Sequence, residues 1–264
     1  MTEISAAMVK ELREATQAGI MDAKRALQET DGDFDEAVKL LRERGMASAA
    51  KRVGRETKEG VVLTFVDEDT GTIVAVGCET EPVSKNEDFE AFTRDVLKIV
   101  HEVGESAVDD LDQRRIELSG RLGENIQVVG VRRMRLHHGE HFASYVHPPA
   151  NKVGVLLRTK GGEHALPRQL AMHISFARPA YRSRDEIPAE LVAAEREILA
   201  KLPEVEGKPP DVREKIVDGM LNKRFYAESV LDEQAWIHDT GMTVAQALEA
   251  GGLELVDYAW FSVG

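Results

Sequence analysis

The side chains able to do chemistry are numerous in this sequence, but their spacing isolates no reacting group. Carboxylates abound, yet none stand out as a general acid/base pair. The eight histidines include the adjacent His137 and His138, and none makes a His-x-x-x-His pair within a helical pattern. His173 falls mid-helix, where a packed or exposed ring is expected rather than a metal ligand. The one cysteine, Cys78, rules out Cys-x-x-Cys and any internal disulfide. It ends an apolar run beside Glu79, with no neighbour in sequence to stabilise a thiolate, so a buried, inert thiol is expected. No Gly-x-x-x-x-Gly-Lys-Ser/Thr or Gly-x-Gly-x-x-Gly is present to cradle a phosphate. No hydrolase or transferase site is legible, and neither a cofactor nor a metal is expected.

What the sequence offers instead is a stretch built to present side chains. Ile73, Val74, Ala75 and Val76 read as a buried strand. Glu79-Thr80-Glu81-Pro82-Val83-Ser84-Lys85 is a polar turn with Pro82 at its tip. Asn86 or Glu87 then caps a helix whose apolar face is Phe89, Phe92, Val96, Leu97 and Val100. Pro82 fixes its own φ and biases Glu81 away from helical geometry, so the turn is rigid. Taken alone, this is also how an ordinary strand-to-helix turn reads.

The elements around it fall into a plain order. Residues 1–45 predict three short helices: Ser5 caps the first, Thr16 and Gln17 break it, Gly19 permits the turn, and Thr30-Asp31-Gly32-Asp33 stops the second, turns the chain and caps the third. The third is expected to end at Gly45. Its apolar positions are those of a small bundle resembling the ubiquitin-associated type. Met46 to Glu59 is small and basic, and predicts a helical extension fraying into a linker near Gly54. From Gly60 the pattern turns to strands: 61–66, a hairpin turn at 67–71, a return strand at 72–77, a charged helix at 108–121 and a strand at 126–136. A similar series follows: strands at 142–147 and 153–158, a helix through Leu166, Leu170 and Ile174 ended by Arg178-Pro179, helices at 188–202 and 211–224, a helix around Val244, and a closing strand through Leu253 and Phe261 that leaves no room for a further helix. The fold class expected is α+β: a three-helix bundle, then a core of two similar halves, each a small antiparallel sheet with helices, the second carrying a helical hairpin at about 183–226. The expected divisions are 1–54, 55–140 and 141–264.

Composition narrows the function. The 264 residues carry 34 basic and 47 acidic side chains, a net charge of −13. That argues against a nucleic-acid binder, which needs a basic surface, and suits a protein docking on a basic patch of a partner. No run of 18 apolar residues and no leader pattern is seen, so neither a membrane span nor secretion is expected, and a reducing cytoplasm is.

Two stretches carry a family resemblance. Val9-Lys10-Glu11-Leu12-Arg13-Glu14-Ala15-Thr16-Gln17-Ala18-Gly19-Ile20-Met21-Asp22-Ala23-Lys24-Arg25-Ala26-Leu27 resembles the N-terminal signature of the elongation factor Ts family. Thr80-Glu81-Pro82-Val83-Ser84-Lys85-Asn86 resembles that family's second signature, in which Thr-Asp-Phe-Val precedes a Lys-Asn-type turn. Glu81 stands where the family usually has Asp, and Pro82 where it usually has Phe. The resemblance spans nearly the whole chain. It implies a guanine-nucleotide exchange factor that binds the GTPase elongation factor Tu and promotes GDP release, without bond chemistry of its own. It implies that the tip intrudes beside the GTPase's magnesium and phosphate site, that the N-terminal helices dock on the GTPase domain, and that the second half of the core touches another domain. The contacts it implies are Arg13, Ile20, Met21 and Lys24 in the bundle, and Thr80, Glu81, Pro82 and Val83 at the tip. Leu122, Gly123 and His147 follow in the core, and Ile237 and His238 near the C-terminus. The Glu81-Pro82 departure keeps a second reading open: a paralogue that binds the GTPase but exchanges poorly, as a holdase or assembly subunit. An adaptor for ubiquitin-like partners would leave most of the chain unexplained. Oligomeric state is left open, a homodimer included.

Overall fold

A computed structural model describes residues 4–16, 18–162 and 165–264. The chain forms two compact units. One runs through Met134 and takes in Pro148–Val153 and Phe261–Gly264; the other holds Arg135–His147 and Gly154–Trp260.

In the first unit, α1 (Ala6–Thr16), α2 (Ile20–Glu29) and α3 (Phe34–Ala50) bury Leu12, Ala23, Ala26, Leu27 and Ala37 completely. The caps are those expected: the Met8 N–H donates to Ser5 Oγ at 3.2 Å, and the Glu36 N–H to Asp33 Oδ1 at 3.0 Å. Helix α1 stops at Thr16, whose hydroxyl donates back to the Leu12 carbonyl; Gln17, the other expected breaker, lies outside the described residues. The third helix does not end at Gly45. It runs without a break into the helical extension expected from Met46, as far as Ala50, and Gly45 is a packing residue: Gly45 faces Gly120 of α6 (Asp112–Leu122), where a Cβ on Gly120 would lie 2.7 Å from the Gly45 carbonyl carbon. Two glycines let the helix backbones touch there.

Strands β1 (Glu59–Val66) and β2 (Thr70–Cys78) pair antiparallel, Val61 opposite Val76. Asp67 builds the hairpin turn between them. Its Oδ1 accepts the N–H groups of Asp69 and Thr70, and its Oδ2 accepts from His101 Nε2 at 2.8 Å. All nine residues of β2 are buried. After it come the single helical turn α4 (Glu81–Ser84), α5 (Glu87–Glu102), a 3₁₀ segment Glu105–Leu111, α6, and β3 (Gln127–Arg135); the sheet order is β1-β2-β3. Phe89, Phe92, Val96 and Val100 on α5 pack on Val74, Val76, Cys78, Leu118 and Ile126. Leu97 packs at the edge of this core, and Thr93 takes a fully buried place by donating its hydroxyl to the Phe89 carbonyl.

The second unit repeats the order. Strands β4 (Glu140–Val146) and β5 (Val153–Gly161) pair antiparallel, and β6 (Leu253–Ser262) completes the sheet β4-β5-β6. Helix α7 (Leu166–Ala177) lays Leu170 and Ile174 on Val155, Leu157 and Leu255. The helical hairpin is α8 (Ala189–Ala200), a turn α9 (Pro203–Glu206) and α10 (Pro210–Met220), with its own small core of Leu199, Val205, Val217 and Leu221. Helix α10 outruns its expected end: it continues through a π-helical turn, Leu221–Tyr226, into α11 (Ala227–Ser229). Arg184 holds that turn, pairing with Glu233 and lying 4.0 Å over the Tyr226 ring. A capping box of Thr243 and Gln246 starts α12 (Val244–Ala250).

Candidate functional site

Strand β2 delivers the tip. Its last residue, Cys78, is fully buried and donates its thiol to the Thr80 carbonyl at 3.3 Å. Burial, reinforced by the nearby Glu124 carboxylate, pushes the thiol pKa up to about 12. The sulfur is therefore a structural plug, not a nucleophile. Beyond it, Thr80, Glu81 and Pro82 are exposed while Val83 tucks against the α5 core. Against the bias expected of a residue before proline, Glu81 opens the helical turn α4 and Pro82 follows it, where proline's missing N–H has no intrahelical partner to lose. Lys85 Nζ lies 2.6 Å from Glu81 Oε1, and this hydrogen bond holds the Glu81 carboxyl below the ordinary range. The tip thus shows one carboxylate, charged at neutral pH, beside a rigid pyrrolidine ring.

A second loop fixes this turn. Gly123 caps α6 in the left-handed region, with φ +78°. Glu124 then accepts the Glu79 and Thr80 N–H groups on Oε2, at 2.9 and 3.0 Å, and the Thr80 hydroxyl on Oε1. Glu79 returns the arrangement: its Oε1 accepts the Asn125 N–H at 2.7 Å, and its carboxylate lies 3.4 Å from Arg55. Asn125 is buried and donates its side-chain amide to the Arg55 carbonyl at 2.8 Å. The structure so brings Thr80, Glu81, Pro82 and Val83 together with Leu122 and Gly123. Sequence reasoning passed over Glu124, because nothing in local spacing joins residues more than 40 positions apart; only the polar Gly-Glu-Asn run ahead of a buried Ile126 hints at it.

Arg13, Ile20, Met21 and Lys24 lie on α1 and α2, all exposed; Ile20 and Met21 are 58% and 62% accessible, though apolar. A groove of about 880 Å³ runs from Gly19 and Asp22, beside these residues, past Arg42 and Gly45 to Arg121 and Gly123.

The remaining candidates lie in the second unit and flank the first turns of α7. His147 follows β4 and shares a 2.9 Å hydrogen bond with the Tyr145 hydroxyl, and Arg168 of α7 stacks over the Tyr145 ring. His238 Nε2 donates to the carbonyl of Gln169, the next residue on α7. Ile237 and His238 are exposed and held from beneath. The Ile237 N–H donates to Nδ1 of the fully buried His173, whose Nε2 donates to Gln234 Oε1 at 3.0 Å and whose ring stacks on Trp236. Burial lowers the His173 pKa, so the ring is neutral and packed. Among the described residues, no cluster of three metal-ligating side chains is present and no helix is long and apolar enough to cross a membrane.

The candidate residues are largely exposed side chains on rigid supports, an arrangement suited to contact with a partner surface. The sequence profile of the family described as Elongation factor TS matches residues 79–264. Proteins called elongation factor Ts from Hydrogenovibrio crunogenus and Methylococcus capsulatus are each 38% identical to this chain, over 99% of its length and 92% of theirs. That of Ruegeria sp. is 39% identical over the same shares. The chain belongs to the elongation factor Ts family.

Proposed function

We propose that this chain binds the GTPase elongation factor Tu and promotes GDP release, so that GTP can replace it, with no bond chemistry of its own. The observation that carries the reading is the Thr80–Val83 turn, exposed at the end of a wholly buried strand and held by a second loop. An exchange factor binds best when its partner's nucleotide site is distorted. By linkage, it weakens nucleotide by the same factor by which nucleotide weakens it. The charged Glu81 is suited to competing electrostatically beside a magnesium and phosphate site. In this reading residues 1–54 are a docking unit that applies Arg13, Ile20, Met21 and Lys24 to the GTPase domain. The halves 55–140 and 141–264 present the tip and, through His147, Ile237 and His238, a contact to another domain. The protein works in the cytosol, with neither nucleic acid nor membrane among its partners.

The test is release of labelled GDP from elongation factor Tu. Lys24→Ala and His147→Ala, both at exposed positions, are expected to slow release while leaving thermal stability within about half a kcal/mol. Stable complex formation with no acceleration of release would mark a protein that binds without exchanging.

A further inference from the structure

We infer that Glu124, working with Glu79, is the positioning residue that sets the maximal rate of exchange, by holding the Thr80–Val83 turn in its working shape before the partner arrives. The inference rests on the exchange-factor reading above.

Strand β2 ends at Cys78, so the N–H groups of Glu79 and Thr80 have passed the end of the strand. Both point at one carboxylate oxygen of Glu124, and the Thr80 hydroxyl takes the other. Bonds from N–H groups to an ionised carboxylate are about twice as strong as neutral ones. Glu124 is itself fixed: Gly123 supplies the left-handed turn before it, the Ser119 hydroxyl donates to its carbonyl, and Glu79 holds the N–H of Asn125 after it. Each carboxylate thus grips the backbone of the other's loop. Glu124 is half-buried with both oxygens engaged, so its part is to hold the turn and not to touch the partner.

A turn left free would have to be ordered during insertion, and that ordering would raise the barrier of the step that expels GDP. In the exchange-factor reading the docking contacts lie on α1 and α2, and the hydrogen bonds of Glu79 and Glu124 involve neither helix. Loss of the pair therefore lowers the maximal rate and leaves the half-saturating concentration in place.

Glu124→Ala is expected to slow maximal GDP release from elongation factor Tu about tenfold, with half-saturation within about twofold of the unmodified chain. Glu124→Gln keeps an oxygen for the two N–H groups and offers its amide to the Thr80 oxygen, and is expected to recover release to within about threefold. A measurement on the unmodified chain needs no variant to fold: the Glu79 and Thr80 amides should exchange hydrogen slowly, well below the rate of an exposed loop. Fast exchange at both amides, an unchanged maximal rate in Glu124→Ala, or Glu124→Gln as slow as Glu124→Ala would each overturn the inference. An unmodified chain that never accelerates release, with both amides protected, would instead overturn the exchange-factor reading beneath it.

Discussion

The two halves of the core share one plan and spend their extra residues in different places. Each has two antiparallel strands, a helix across them, and a third strand after a longer excursion. In the first half the elaborated connection joins strand to helix: residues 79–86 carry the tip, and the excursion after α5 returns Glu124 to clamp it. In the second half the corresponding connection, after β5, is short, and the excursion after α7 has grown into the hairpin of α8 and α10. The polar chemistry differs to match. The first half puts carboxylates at the end of its sheet: half-buried Glu79 and Glu124, bonded to backbone, and exposed Glu81, paired with Lys85. The second buries a neutral histidine under the loop that shows Ile237 and His238. A sheet with a helix across it is a platform, and what it does is decided by which connection is lengthened.

That contrast can be broken at its supports. Phe89 is the largest fully buried side chain of the first half and anchors α5 directly behind the tip. Phe89→Ala is expected to destabilise by about 3–5 kcal/mol in urea unfolding and to abolish exchange with it. The tip itself can be sharpened. Pro82→Phe would add an exposed aromatic wedge at the position where the family usually has one. If roughly 1.5–3 kcal/mol of its burial is realised only against distorted partner, maximal GDP release rises about ten- to a hundredfold. An unchanged rate would mean that Pro82 already does the wedge's work. Gly120→Ala places a methyl group within 2.7 Å of the Gly45 carbonyl carbon. It is expected to cost about 1–3 kcal/mol by forcing α3 off α6, read as a lower thermal midpoint.

The second half carries a pH signature at its buried histidine. Burial lowers the His173 pKa, so the unfolded chain takes up a proton there near pH 6.5 and the folded chain only at lower pH. Stability present above about pH 6.5 is therefore lost as pH falls toward the folded-state value, by at most about 1.4 kcal/mol per pH unit. His173→Gln, which can keep a hydrogen bond to Gln234, should flatten that dependence in unfolding curves measured from pH 7 to 5.

Most of this architecture can be read from local pattern. The α5 stripe, the caps at Ser5, Asp33 and Asn86, the two hairpins and the buried thiol all follow from neighbours within a few residues. What escaped reading is non-local. Gly45 reads as a helix stop, and only its contact with Gly120 shows it to be a packing residue. Ile20 and Met21 are apolar residues whose exposure no local pattern announces, and the fold leaves both in solvent. Glu124 is one carboxylate among 47 acidic side chains until β2 and α6 bring it to the tip. His173 reads as packed or exposed, and its partners Gln234 and Trp236 lie some 60 positions away.

The tip as the driver of exchange is tested most directly by charge reversal where Glu81 now stands. Rapid-mixing release of fluorescent GDP from elongation factor Tu would be followed at saturating concentrations of the unmodified chain and of Glu81→Lys. Glu81 is exposed and, among the described residues, its salt-bridge partner is the likewise exposed Lys85, so the variant should fold normally. The unmodified chain should accelerate release to a plateau, and the variant should reach a plateau at least about tenfold lower at an unchanged half-saturating concentration. Equal plateaus for the two proteins would contradict a role for the tip and move the source of exchange to the bundle or to the second half.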